Sequence, residues 1–170
     1  MPAPIELVDY DPTWPAKFAA ERDLLLGPLQ PWLFGPIEHV GSTAIPGLRA
    51  KPVIDIMVGV ESLPASRNAI PVLEELGYQY WPYKSDVMHW LCKPSDEFRT
   101  HHLHLIPVDS ELWRARLGFR DFLRRHSTTA AEYEALKDEL ATVYRNDREA
   151  YTEGKTEFIQ RVVARAFRES

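Results

Sequence analysis

The sequence predicts an α/β (α+β) fold, a β-sheet flanked by helices with a helical C-terminal segment, and three observations carry that reading. Residues 37–60 read as strand, glycine turn, loop and strand: Ile37–Val40 is a short apolar run, Gly41-Ser42 a turn, and Val53–Val60 a longer apolar run. Thr100–Ile106 alternates, with His102 and His104 on one face and His101, Leu103 and Leu105 on the other. From Glu111 onward the apolar residues recur at helical spacing.

Taken in order, Ile5–Val8 is a short strand candidate. Asp11-Pro12-Thr13 offers an acceptor side chain followed by proline, a helix start. The helix that follows carries Trp14, Phe18, Ala19 and Leu25 or Leu26 toward the core. Lys17, Glu21, Arg22 and Asp23 form its wet face, and Gly27-Pro28 ends it. Val53–Val60 is apolar enough for a buried central strand, broken by Asp55 alone. An acid in such a run is costly to bury unless it is paired, hydrogen-bonded or bound to a cation, which places Asp55 at an open strand end or facing a cleft.

Ser66–Leu76 reads as a helix with Pro71 as a blemish, closed by Gly77. Tyr78–Tyr83 and Met88–Lys93 form an antiparallel pair rich in aromatics, joined by the polar turn Lys84-Ser85-Asp86. Glu111–Arg125 presents Leu112, Ala115, Phe119, Phe122 and Leu123 on one side, and His126-Ser127 breaks it. Ala130–Arg145 repeats the pattern with Tyr133, Leu136, Leu140 and Val143, which leaves mid-helix Lys137 solvated. Asn146-Asp147 ends that helix, and a last one packs through Phe158, Ile159, Val162, Val163 and Ala166.

With 170 residues and 45% hydrophobic content the chain can bury one sizeable core, so a single domain over 1–170 is expected. Acids outnumber bases, 25 to 20, for a net charge of -5. That balance argues against an extended nucleic-acid surface and for a local pocket that takes a small phosphorylated ligand. The single cysteine, Cys92, has no partner for an internal disulfide, and no apolar run approaches the ~20 residues of a membrane span. The start, MPAPIELVDYDP, lacks the basic and apolar regions of a signal peptide, so a cytoplasmic protein is expected. Nothing matches the GxxxxGK[ST] phosphate loop of kinases.

A Gly-Ser turn after one strand and an Asp in the next resemble the signature of the polymerase-beta-like nucleotidyltransferase fold. The wording EHVGSTAIPGLRAKPVIDI is similar to the GrpB family of that superfamily, as are DYDPTWPAKF, HHLHL and REAYTEGKTEFI, so the likeness spans nearly the whole chain. It implies a nucleotidyltransferase-like mixed β-sheet, and a fold more firmly than a reaction. In such a fold, backbone N–H groups and a hydroxyl hold the nucleotide's phosphates, and a metal bridges them to carboxylates.

Gly41 and Ser42 match the holding part and Asp55 the first carboxylate. Where the superfamily has a second acid two residues on, this chain has Met57. His102 and His104 could complete a metal site with Asp55, for magnesium or manganese, or for zinc through the imidazoles. Alternatively, His104 could serve as general base near neutral pH. Lys51, Lys155 and Arg120 are the candidate phosphate contacts. Lys155 is expected on the first turn of the last helix or just before it, and Tyr151 either stacks a base or packs in the core. Three functions follow: a nucleotidyltransferase using a nucleoside triphosphate, a binding module that has lost catalysis, and an accessory domain linked to coenzyme A metabolism. The last rests on the likeness of family relatives to an extension found on some dephospho-coenzyme A kinases.

Overall fold

In the computed structural model, which describes residues 2–170, the chain begins with a helix, α1 (Trp14–Leu29), started where Asp11 accepts hydrogen bonds from the Thr13 backbone and hydroxyl at 2.8 and 2.7 Å. The strands are β1 (Ile37–Val40), β2 (Ile54–Val60), β3 (Gln79–Trp81), β4 (His89–Pro94) and β5 (Arg99–Pro107). They form one mixed sheet in the order β1-β2-β5-β4-β3, in which β2 and β5 run parallel and every other neighbouring pair runs antiparallel. The predicted sheet and its antiparallel aromatic hairpin are therefore present.

Alternation along the two central strands sorts the residues to the two faces. Ile54, Ile56, Val58 and Val60 of β2 join Leu103 and Leu105 of β5 on one face. That face packs on Trp14, Leu25 and Leu29 of α1. Between β2 and β3 come two short helices, α2 (Leu63–Ser66) and α3 (Ala69–Glu75), and α3 adds Ala69, Ile70 and Leu73. On the other face Met57, Ile106, Trp90 and Cys92 pack with Val40 and with Trp113 of α4 (Glu111–Arg125). The register sets Asp55 opposite His102 and Met57 opposite His104, so all four share this second face.

The chain closes with α5 (Ser127–Val143), α6 (Arg148–Gly154) and α7 (Thr156–Glu169). Ile45 and Leu48, in the loop between β1 and β2, pack into Phe122, Leu123, Tyr133, Phe158 and Val162. The C-terminal helices thus lie over the loop that carries Gly41-Ser42. Among the described residues no helix is long and apolar enough to cross a membrane.

Several expectations are corrected. α1 runs through Gly27 and Pro28, because burial of Leu25 and Leu29 holds its last turn. Ser66–Leu76 is two helices: Ser62 caps α2 by accepting from the Ala65 N–H, and Pro71 falls in the first turn of α3, where its missing N–H costs nothing. Ile5–Val8 is not a strand of the sheet. Val8 makes one bridge to Ala50, while the Ile5 N–H donates to the Arg145 carbonyl. α6 is a separate helix, capped by Asp147 through the Ala150 N–H at 3.0 Å. Lys137 is only 1% exposed, because the loop around Arg49 covers α5 and takes its ammonium at 2.6 Å through the Arg49 carbonyl.

Glu21 also leaves the wet face expected for it. It is 6% exposed, accepts the Tyr78 hydroxyl at 2.6 Å and pairs with Lys93 of β4. This fastens α1 to the edge half of the sheet. Burial pushes the Glu21 pKa up, but the hydrogen bonds from Lys93 and Tyr78 outweigh it and the net shift is downward. His39 of β1 is buried too. Thr43 donates its hydroxyl to the Val53 carbonyl at 3.3 Å and so accepts from His39 Nε2 at 2.9 Å, while Phe18 stacks on the imidazole at 4.8 Å. Burial lowers the His39 pKa to about 4.

Replacing Glu21 by Ala leaves Lys93 and the Tyr78 hydroxyl without their acceptor, and a loss of about 3 kcal/mol is expected in urea unfolding. The His39 shift predicts a pH dependence. The unfolded chain takes up the proton near pH 6.5 and the folded chain only near 4, so stability is full above 6.5 and declines as the pH falls toward 4. Thermal unfolding from pH 7 to 4.5 should show that decline, and His39→Gln should make it shallower.

Candidate active site

The site begins at Gly41. Its φ of 75° is unfavourable for other residues, and a Cβ placed there would stand 2.3 Å from Asp55 Oδ2. The sequence suggests that this glycine admits a ligand; in the structure the nearest group to it is the Asp55 carboxylate. Val40 and Asp55 are cross-strand partners, so β1 brings the glycine to the acid. Ser42 follows in a single 3-10 turn, Ser42–Ala44.

Asp55, His102 and His104 come together as expected. His102 Nδ1 lies 3.0 Å from Asp55 Oδ1 and donates to it, which leaves His102 Nε2 as an acceptor, buried and without a partner among the described residues. Arg116 of α4 donates to His104 Nδ1 at 3.1 Å, so the His104 proton resides on Nε2, 3.5 Å from the same Asp55 oxygen. Burial and the Arg116 charge push the His104 pKa down to about 4. A ring whose two nitrogens are both engaged and which stays neutral makes a poor general base, so the role considered for His104 is not supported. Burial alone would raise the Asp55 pKa, but the hydrogen bonds from His102 and His104 hold it well below the usual carboxylate range.

The ligand atoms of Asp55, His102 and His104 lie within 4.8 Å of one another, a possible metal site. One carboxylate with two imidazoles suits zinc, manganese or iron better than magnesium, which prefers oxygen ligands, and such an ion would take the place of the imidazole protons that now bond Asp55. Met57 occupies the second-acid position on the same face at 0% exposure, packed against Trp90 and Trp113.

The basic groups form a second layer. The Lys51 and Lys155 ammoniums lie 5.0 and 4.6 Å from the centre of the Tyr151 ring, and both feel the Asp55 charge. Lys155 stands between α6 and α7, as the spacing predicts. Burial and the neighbouring Lys51 lower its pKa to about 8, and burial with Lys155 lowers Lys137 to about 7. Lys51, Lys155 and Arg116 therefore share the charge of a single carboxylate, Asp55, while Lys137, beside Glu134 and Asp138, adds its own charge to that of the two lysines.

Two candidates fall outside this cluster. Arg120 is spent on Glu38 at 2.7 Å, Asp121 at 2.9 Å and the His39 carbonyl at 3.1 Å. Tyr151 is 1% exposed and packs with Ile5 and Leu140, which leaves no face for a base. Sequence reasoning missed Arg116 and Lys137. Arg116 shares a helix face with Trp113 at i+3 spacing, a signal that it looks toward the sheet.

Gly41→Ala should displace Asp55 from its two histidines. A stability loss of about 1–3 kcal/mol is expected from the backbone strain alone. Nitrogen-15 NMR of the imidazoles would show His102 losing its hydrogen-bonded Nδ1 proton, and unchanged imidazole signals would contradict this account of the glycine.

Comparison with known proteins agrees with this architecture. The chain is 42% identical over 166 residues to a UPF0157 protein of Pseudomonas aeruginosa, covering 95% of this chain and 67% of the relative. It is 35% identical over 162 residues to the glutamate-rich protein GrpB of Alkalihalophilus pseudofirmus, covering 92% of each. A dephospho-CoA kinase of Mycolicibacterium paratuberculosis is 36% identical over 119 residues, 68% of this chain but 28% of that protein. Among solved structures, GrpB from Enterococcus faecalis superposes with a TM-score of 0.87 at 30% identity over 96% of this chain and 98% of that one. The GLD-2/RNP-8 complex (TM-score 0.53, 89% of this chain and 60% of that one) and the Cid1 poly(U) polymerase (0.52, 87% and 49%) are 13% identical and share the fold alone. The model of the GrpB protein family matches residues 4–165, and the chain belongs to that family.

Proposed function

We propose that this chain binds a nucleoside triphosphate, or a related phosphorylated ligand, by its phosphates at the cations gathered near Asp55 and the Gly41-Ser42 turn, and transfers a nucleotidyl group from it to an acceptor. The observation that carries the reading is the excess of positive charge: Lys51, Lys155 and Arg116 around the one carboxylate of Asp55, with Lys137 adding to the charge at the two lysines. Cations gathered this closely at low exposure repel one another, and an anion with several oxygens relieves that repulsion. Asp55, His102 and His104 are the residues that would hold a divalent metal ion, magnesium or manganese carried in with the phosphates or zinc through the imidazoles. When bound, such an ion neutralises and polarises phosphoryl oxygens.

One observation favours a second reading, a phosphate-binding module without catalysis. The buried Met57 stands where a second carboxylate would strengthen metal binding. Likeness to part of a dephospho-CoA kinase supports a variant of this reading in which the module accompanies coenzyme A metabolism.

Calorimetric titration with nucleoside triphosphates, with and without magnesium, manganese and zinc, tests both. Lys155→Ala should weaken binding by about 1.5–3 kcal/mol, the contribution of a charged hydrogen bond. Asp55→Asn should keep triphosphate binding while abolishing metal-dependent release of pyrophosphate. If the unsubstituted protein binds but releases none and Met57→Asp confers tight magnesium binding, the second reading stands. No binding of any triphosphate, or equal affinity with and without Lys155, would overturn the phosphate site.

A further inference from the structure

The cations around Asp55 recognise phosphate but say nothing of what the phosphate is attached to. Close to Arg116 the chain leaves an aromatic ring half exposed. Tyr83, in the segment between β3 and β4, is 42% exposed, and its ring meets Trp90 edge-on at 6.1 Å and 71°. Trp90 in turn lies 5.2 Å from the His102 ring, on the sheet face that carries Asp55. Arg116, which hydrogen-bonds His104, is within charge reach of Tyr83 as well as Asp55. The exposed ring is thus joined to the carboxylate site by two aromatic contacts and by a shared arginine.

The support beneath Tyr83 is rigid. Trp90 is buried, and the Arg99 guanidinium covers its ring at 4.9 Å. On Tyr83 itself lies the Lys84 ammonium, 5.5 Å from the ring centre. Lysine on an exposed ring contributes little and yields readily to a better partner. A half-exposed tyrosine braced by one ring contact is suited to stacking on a planar ligand group at small entropic cost.

We propose that Tyr83 is the wall of a nucleobase subsite, so that the ligand is a nucleoside polyphosphate whose base stacks on Tyr83 while its phosphates meet Lys51, Lys155 and Arg116. This rests on the phosphate-binding reading above and adds the chemical class of the group that the phosphates carry. Tyr151, the aromatic residue that sequence alone suggests for stacking, is buried and cannot take this part.

The test compares the four ribonucleoside triphosphates with inorganic tripolyphosphate, by calorimetric titration of the unsubstituted protein, Tyr83→Ala and Tyr83→Phe. The unsubstituted protein should bind at least one nucleotide about tenfold or more tightly than tripolyphosphate, the range of one base–aromatic stack. Tyr83→Ala should erase that preference and leave tripolyphosphate affinity unchanged, and Tyr83→Phe should preserve it. Tripolyphosphate binding as tight as every nucleotide, or a nucleotide preference that survives in Tyr83→Ala, overturns the base subsite and leaves the phosphate site standing. Equal weakening of both ligands by Tyr83→Ala also overturns it, since the residue would then act on the phosphate site. If the unsubstituted protein binds neither probe, the phosphate reading falls and this inference falls with it.

Discussion

An ionised carboxylate set into a β-sheet must be satisfied by donors on every side, and the arrangement around Asp55 follows from that constraint. Gly41 has to lack a side chain because the carboxylate fills the space where one would be. His102 and His104 fall on the parallel neighbour of β2, in register to present N–H groups to one oxygen. Arg116 then fixes the tautomer of His104 from the helix above. The glycine, the histidine spacing and the Arg116 contact all serve one half-buried charge.

Around that centre the electrostatics point outward. Inside a folded chain, lysines are tolerated at low exposure when paired with acids. Here the acids nearest to Lys137 are engaged elsewhere: Glu134 accepts the Arg49 N–H and Asp138 the Arg49 guanidinium. Lys137 is left with a backbone carbonyl, and Lys51 and Lys155 share a tyrosine ring. Such a distribution lowers stability in the free protein, and function is the usual reason for a fold to retain it.

Much of this is legible in the sequence, where periodicity carries it. Strict alternation places His102 and His104 on one face, and a lone acid in an apolar strand points to a cleft, so the Asp55 cluster is readable from the order of residues alone. The start of α7 at Lys155 is legible for the same reason. Less local facts are not. Lys137 looks like any mid-helix lysine, because its burial depends on a loop far away in the chain. Arg120 looks like a phosphate ligand, but Glu38, on another element, takes its guanidinium. Pro28 and Pro71 look like helix breakers, and tertiary burial or position within the first turn decides otherwise.

The loop around Arg49 has a wider reach than its length suggests. Arg49 holds Asp138 and Asp9 with its guanidinium, the Leu7 carbonyl with the same group, Glu134 with its N–H and Lys137 with its carbonyl. It therefore clasps the N-terminal segment, the loop between the first two strands and α5 at one point. The part of the site that bears Gly41, Lys51 and Asp55 and the helix that bears Lys137 are joined there, away from the carboxylate itself. The clasp thereby ties the position of Lys51, two residues along the same loop, to that of Lys137 on α5, so that a disturbance at one is passed to the other.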